Sequence, residues 1–325
     1  MTDVNPDAII IQNITQKEMK RMNDVVKEEI LNLKKERNAV IMAHYYAPDE
    51  AQELADYVGD SFYLAKAAKE SCADVIVFCG VSFMGESAKI LNPAKTVIMP
   101  DLSADCPMAH MVKDGIIEDM RSRYDDLAVV CYINSTAEMK SRSDVCVTSS
   151  NAVKIVSELP NKNIFFIPDK NLGRFVAEKV KDKNIILNNG YCHIHDAITK
   201  DGVLNQKALH PDALILAHPE CGEEVTEISD FVGSTLDIIN FVKNSNSNEY
   251  IVCTEEGVGY QLRCDNPGKR FYFGQNPHCC SDMKLNNADN ILKCLRTLGN
   301  KVEVNPQTEK GALVALERML SLAGK

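Results

Sequence analysis

"AVIMAHYYAPDEAQELADYVGDS", residues 39–61, decides the fold. Its opening run is apolar up to His44, as in a strand buried on both faces of a parallel sheet. "PDEAQELADYV" then carries a helical pattern, and a polar "GDS" closes the stretch at 59–61. Working outward, "DVIVFCG" (74–80) and "TVIMPD" (96–101) read as further strands, with the helical "SFYLAKAAKESC" before the first of them. Strand and helix alternate, which predicts an α/β fold.

The same order returns twice. "LAVVCYIN" (127–134), "DVCVTSS", "NIFFIPD" and "NIILNNGYC" form a second set, and "ALILAHPE" (213–220), "DFVGST", "YIVCTEE" and "RFYFGQ" a third. The spacing is strict: His44 to Ser61, Tyr132 to Ser149 and His218 to Thr235 are each 17 residues. A hydrophobic-Gly pair recurs at Met84-Gly85, Leu172-Gly173 and Val258-Gly259, at intervals of 88 and 86. Three related units of four short strands follow from this period. We expect them at residues 1–110 with an N-terminal helix, 111–196, and 197–325 with a C-terminal helix.

A cysteine ends each unit. Cys106 lies 45 residues after Ser61, Cys192 lies 43 after Ser149, and Cys279 or Cys280 lies 44 or 45 after Thr235. The period thus selects three positions out of twelve cysteines and leaves the last one double. Cys72, Cys79, Cys131, Cys146, Cys253 and Cys294 sit inside apolar or helical patterns and read as core residues. The chain has no Cys-x-x-Cys pair, so a metal site has to be assembled from distant segments. Three thiolates leave a centre one ligand short, which suits either an iron-sulfur cluster with an open iron or a three-cysteine zinc site with a water.

Charge and hydropathy exclude other classes. A formal charge of −10, from 46 acidic against 36 basic residues, argues against a nucleic-acid partner. No run approaches the roughly 20 apolar residues of a membrane helix, and the start has no basic leader, so a cytoplasmic protein is expected.

Polar groups gather where the strands end, the side on which parallel α/β sheets bind ligands. The first strand of each unit runs into "HYY" (44–46), "YIN" (132–134) or "HPE" (218–220), and the second into "GDS", "TSS" or "GST". Ser61, Ser149 and Thr235 read either as plain helix N-caps or as hydroxyls at helix starts converging on an anion. His44, beside Tyr46, is a candidate for proton transfer, and Glu220 for an acid or base.

The ordered set "AHYY", "GDS", "DCPMA", "YINS", "TSSN", "GYCHIH", "HPEC", "VGST" and "CCSDMK" resembles the quinolinate synthase family of de novo NAD biosynthesis, over roughly residues 37–285. The resemblance implies three similar αβα domains with short parallel four-stranded sheets, in a pseudo-threefold arrangement around a central cavity. It implies a 4Fe-4S cluster on Cys106, Cys192 and Cys280, whose open iron acts as a Lewis acid. The implied reaction condenses iminoaspartate with dihydroxyacetone phosphate to quinolinate, releasing phosphate and two waters. His44, Ser61, Tyr132, Asn134, Ser149, His218, Glu220 and Thr235 are then expected to line the substrate cavity, with Tyr46 and Glu220 leading the acid-base work. An aspartate oxidase or dehydrogenase is the expected source of iminoaspartate. Cys279 stands where many relatives carry another residue.

Two other readings remain at this level. One is a 4Fe-4S hydro-lyase for another small polycarboxylate; the other is an iron-sulfur electron carrier or sensor, which usually has a fully ligated cluster. Residues 15–37 read as an amphipathic helix with Met19, Met22, Val26 and Leu33 on one face, and "EKGALVALERMLSLA" as a second packing helix.

Overall fold

The computed structural model describes residues 16–274 and 278–324, with side chains from residue 24 onward. Thr15, the side chains of Met19 and Met22, and Asn276 and Pro277 beside the paired cysteines fall outside these.

The apolar runs form three separate four-stranded sheets, all parallel. The first holds β1 (Ala39–His44), β2 (Tyr57–Gly59), β3 (Val75–Cys79) and β4 (Thr96–Ile98). The second holds β5 (Leu127–Tyr132), β6 (Val145–Val147), β7 (Asn163–Ile167) and β8 (Asn184–Leu187). The third holds β9 (Leu214–Ala217), β10 (Phe231–Val232), β11 (Glu249–Cys253) and β12 (Arg270–Tyr272). Each places its second strand at one edge, then its first, third and fourth. That order puts a topological switch point between the first and third strands, where a crevice opens at the carboxyl ends.

Register explains the sequence period. His44 faces Gly59, Tyr132 faces Val147 and Ala217 faces Val232, a step of 15 residues each time. The first-to-third pairings Ala39↔Val75, Leu127↔Asn163 and Leu214↔Tyr250 step by 36. The third-to-fourth pairings Val75↔Thr96, Asn163↔Asn184 and Glu249↔Arg270 step by 21. Because a one-residue slip would turn every side chain to the wrong face, identical steps place equivalent residues at equivalent points in all three units.

A repeated aspartate fixes the edge pairing. The carboxylates of Asp56, Asp144 and Asp230 accept the backbone N–H of Ile41, Val129 and Ile215 at 2.8, 2.7 and 2.8 Å. In turn their own N–H groups donate to the same residues' carbonyls at 2.8, 2.9 and 2.8 Å. Each aspartate thus completes a strand end that would otherwise leave a donor unpaired.

The first sheet is covered on both faces. Ile41, Val75 and Val77 pack with Ile30, Ile291 and Leu295, while Met42, Ile76 and Phe78 join a core continuous with the second sheet. Val26 and Leu33 of the helix Gln16–Glu36 pack against the former cluster, as the apolar face read from the sequence requires. The helices after residue 285 leave the third sheet: Ala288–Thr297 packs on the first, and Pro306–Ala323 on the second and its helix Ala137–Ser141. No helix among the described residues is long and apolar enough to cross a membrane.

Candidate active site

The carboxyl ends of the three sheets converge on one cavity. His44, Tyr46 and Ser61 reach it from the first unit, Tyr132, Asn134 and Ser149 from the second, and His218, Glu220 and Thr235 from the third. Cys106, Cys192 and Cys280 line it as well. All the residues singled out from the sequence therefore meet, apart from Cys279, which is absent from the wall.

The cavity hydroxyls are free of the capping role. Asp60 caps the helix Ser61–Glu70 by accepting the Tyr63 N–H at 2.8 Å. Ser234 caps Thr235–Asn244 through a reciprocal capping box with Asp237. Ser149 lies in a turn before the helix Ala152–Glu158, whose N-cap is Asn151. The plain N-cap reading of Ser61, Ser149 and Thr235 is thereby replaced, because Asp60, Asn151 and Ser234 take that place.

The two histidines at strand ends are built alike. Nδ1 of His44 accepts the Tyr46 N–H at 3.2 Å, and Nδ1 of His218 accepts the Glu220 N–H at 3.3 Å. This pairing assigns the remaining proton of each neutral ring to Nε2. Burial holds both pKa values down to about 3, so both rings are neutral near pH 7.

Glu220 is buried, and its Oε2 lies 2.8 Å from Nδ1 of His195. Burial alone pushes its pKa up; the imidazoles of His195 and His218, with the Tyr132 phenol beside it, outweigh this and hold the group at about 2. Oε1 of Glu220 and Oδ1 of Asn134 are buried without a hydrogen-bond partner among the described residues, although both line the cavity. Such orphans cost about 1–3 kcal/mol each when nothing fills them, which marks the cavity as built for a polar ligand.

A chain of hydroxyls crosses the site. The Tyr46 hydroxyl lies 2.7 Å from Thr235 Oγ1 and 2.8 Å from Thr254 Oγ1, and Thr254 Oγ1 lies 2.9 Å from Nε2 of His195. With Nδ1–H of His195 directed at Glu220, Nε2 accepts from Thr254, and a proton on Tyr46 is connected through two side chains, Thr254 and His195, to the Glu220 carboxylate. Burial raises the Tyr46 pKa well above its ordinary value. His195 and Thr254 were not singled out from the sequence. Both lay within quoted stretches, "GYCHIH" and "YIVCTEE", but only the fold brings them to Tyr46.

The three cavity thiols share one local geometry. Against burial, which raises all three, the N–H groups of Met108 and Ala109 favour the Cys106 thiolate, those of Ile194 and His195 that of Cys192, and those of Asp282 and Met283 that of Cys280. All three are free thiols. Burial pushes the Cys106 thiol up to about 12 and raises the other two. Cys192, His195 and Glu220 also bring candidate ligand atoms within 4.8 Å of one another. Outside the cavity wall, the Cys279 thiol is raised to about 11 by burial and by the neighbouring Glu256.

Comparison with known proteins agrees with this geometry. The family model described as quinolinate synthetase A protein matches residues 28–321. Quinolinate synthase of Fusobacterium nucleatum subsp. nucleatum is 52% identical over 299 residues, spanning 92% of this chain and 100% of the relative. Those of Caldicellulosiruptor bescii and Clostridium perfringens (strain 13 / Type A) are 50% and 48% identical, each spanning 92% of this chain and 99% of the relative. With three matched sheets, a shared cavity and similarity running along almost the whole sequence, the chain belongs to the quinolinate synthetase A family.

Proposed function

We propose that the chain is a quinolinate synthase, condensing iminoaspartate with dihydroxyacetone phosphate to form quinolinate, phosphate and two waters. Family membership over residues 28–321 supports the activity, and the observation that carries it is a single cavity receiving a thiol from each of three sheets.

The donor set fits an iron-sulfur centre. Three free cysteines line one cavity, each with two backbone N–H groups nearby that favour its thiolate. Cys106, Cys192 and Cys280 would hold a 4Fe-4S cluster with one iron left open. When bound, that iron supplies Lewis acidity toward a substrate oxygen.

The other roles belong to the chain's own groups. Nε2–H of His44 and of His218 donates to carboxylate or phosphate oxygens. Ser61, Ser149, Asn134 and Tyr132 complete that polar wall. Neutrality near pH 7 favours binding over proton transfer for His44, so the acid-base work falls to Tyr46 and Glu220. Tyr46 exchanges its proton through Thr254 and His195, while the orphaned Oε1 of Glu220 is the acceptor facing the cavity. An enzyme oxidising aspartate, an oxidase or a dehydrogenase, would supply the imine in the same cytoplasmic compartment.

The test is anaerobic. Protein reconstituted with iron and sulfide should show iron-sulfur absorbance and convert the two substrates to quinolinate. Cluster-loaded protein that forms none would overturn the reading.

A further inference from the structure

Two buried carboxylates hold the backbone of cavity cysteines from equivalent places. Asp169 and Glu255 each follow the third strand of their unit by two residues, after Ile167 and Cys253. Oδ2 of Asp169 accepts the Cys192 N–H at 3.2 Å, and Oε1 of Glu255 accepts the Cys280 N–H at 3.1 Å. Both residues are buried. They differ in what else they touch. Asp169 spends its other oxygen on the Leu172 N–H, at 2.7 Å, within its own unit.

Glu255 reaches across to the first unit. Its Oε1 also lies 2.9 Å from Nζ of Lys284, and the same ammonium donates to the Tyr46 carbonyl at 2.9 Å. Its Oε2 accepts the Gly257 N–H at 2.7 Å. The amide of Gln52 donates to the carbonyls of Tyr45, Ala47 and Gly257 at 3.0, 2.9 and 3.1 Å, so the Tyr46 turn is tied to this loop from both sides. A Cβ on Gly257 would stand 2.8 Å from the Tyr46 Cα, which shows how closely the two backbones approach.

We propose that Glu255 and Lys284 are a positioning pair that couples metal binding at Cys280 to the placement of Tyr46. The inference rests on Cys280 being a cluster ligand. A ligated Cys280 fixes the N–H on which Glu255 sits; Glu255 fixes the ammonium; the ammonium fixes the Tyr46 carbonyl. Charge-assisted bonds are short and directional, so a displacement at one end is carried along them to the other. The sheet that donates the third thiol thereby orders the turn that carries the phenol, and an unloaded chain holds Tyr46 less firmly.

Hydrogen exchange at residues 44–47, with and without the cluster, reads this without recourse to catalysis. In the unaltered chain, loading should slow exchange there by about tenfold, the scale of one charge-assisted hydrogen bond. Lys284→Met should keep the iron content yet lose the slowing, and Lys284→Arg should restore part of it. Asp169→Asn touches the equivalent cysteine amide but not the Tyr46 turn, so its loaded form should keep the slowing. Equal exchange in loaded and unloaded unaltered chain overturns the proposal, as does full slowing in Lys284→Met. A chain that takes up no iron-sulfur cluster would instead overturn the functional reading beneath it.

Discussion

Nδ1 of His195 lies 2.8 Å from Oε2 of Glu220, with both side chains shut away from solvent. The imidazole arrives from the second unit and the carboxylate from the third, so the pair exists only when the two sheets meet. Glu220→Gln removes the acceptor charge while keeping the shape. Its kcat should fall by about 10²–10⁴, the range for a lost acid-base group, with iron content unchanged. Steady-state rates beside an iron assay check this; an unaltered kcat would remove Glu220 from the chemistry.

Tyr46→Phe deletes the middle of the hydroxyl chain and leaves Thr235 and Thr254 each short of a partner. The expected stability loss is about 1–3 kcal/mol, read by denaturant unfolding of cluster-free protein, with a larger fall in kcat than in substrate affinity. Affinity lost at constant kcat would make Tyr46 a binding group alone.

Cys106→Ala, Cys192→Ala and Cys280→Ala should each abolish the iron-sulfur absorbance after anaerobic reconstitution, whereas Cys279→Ala and Cys72→Ala should keep it. The distinction between the adjacent cysteines follows from the cavity wall, which Cys280 lines and Cys279 does not. Retention by Cys280→Ala with loss by Cys279→Ala would reverse the assignment.

Acid should destabilise the cluster-free chain through its two buried imidazoles. His44 and His218 have an ordinary pKa of 6.5, held by burial at about 3 in the fold. Between these limits the unfolded chain binds protons that the folded one does not. Stability is therefore complete above about pH 6.5 and falls as pH drops toward about 3. Glu220, held at about 2 against an ordinary 4.5, adds loss of the same sign lower down. Melting temperatures should drop between about pH 7 and pH 5, less steeply in His44→Gln; a flat profile would mean that these rings are charged in the fold.

Gly311→Ala tests the last helix. A Cβ there would come within 2.7 Å of the Ser141 carbonyl oxygen, which belongs to the backbone and cannot swing aside. Overpacking of this kind costs about 1–3 kcal/mol and should outweigh the gain in helix propensity, lowering the unfolding midpoint.

Much of this was legible in the chain because parallel strands keep a fixed register. Steps of 15, 36 and 21 residues recur in all three sheets, and the 17-residue interval from His44 to Ser61 is the first step carried two residues further. Residues at strand ends could therefore be matched by counting. Asp56, Asp144 and Asp230 obey the same count and escaped notice because isolated aspartates are common in turns. What counting could not reach were contacts between units: Thr254 with Tyr46, His195 with Glu220, and Lys284 with the Tyr46 carbonyl. These depend on how three sheets lean together, which no period within one unit encodes. The destinations of the helices after residue 285 were hidden for the same reason, since their apolar faces suit any exposed sheet.

Those late helices make the order of synthesis matter. Part of the covering of the first sheet and of the second comes from residues 288–323, which leave the ribosome after everything they cover. Cys280 emerges shortly before them. Between residues 192 and 280 a nascent chain thus carries two of the three cavity thiols, two partly uncovered sheets and no complete cavity. The site is complete only once Cys280 has been made, and the helices that follow it then close over the first and second units.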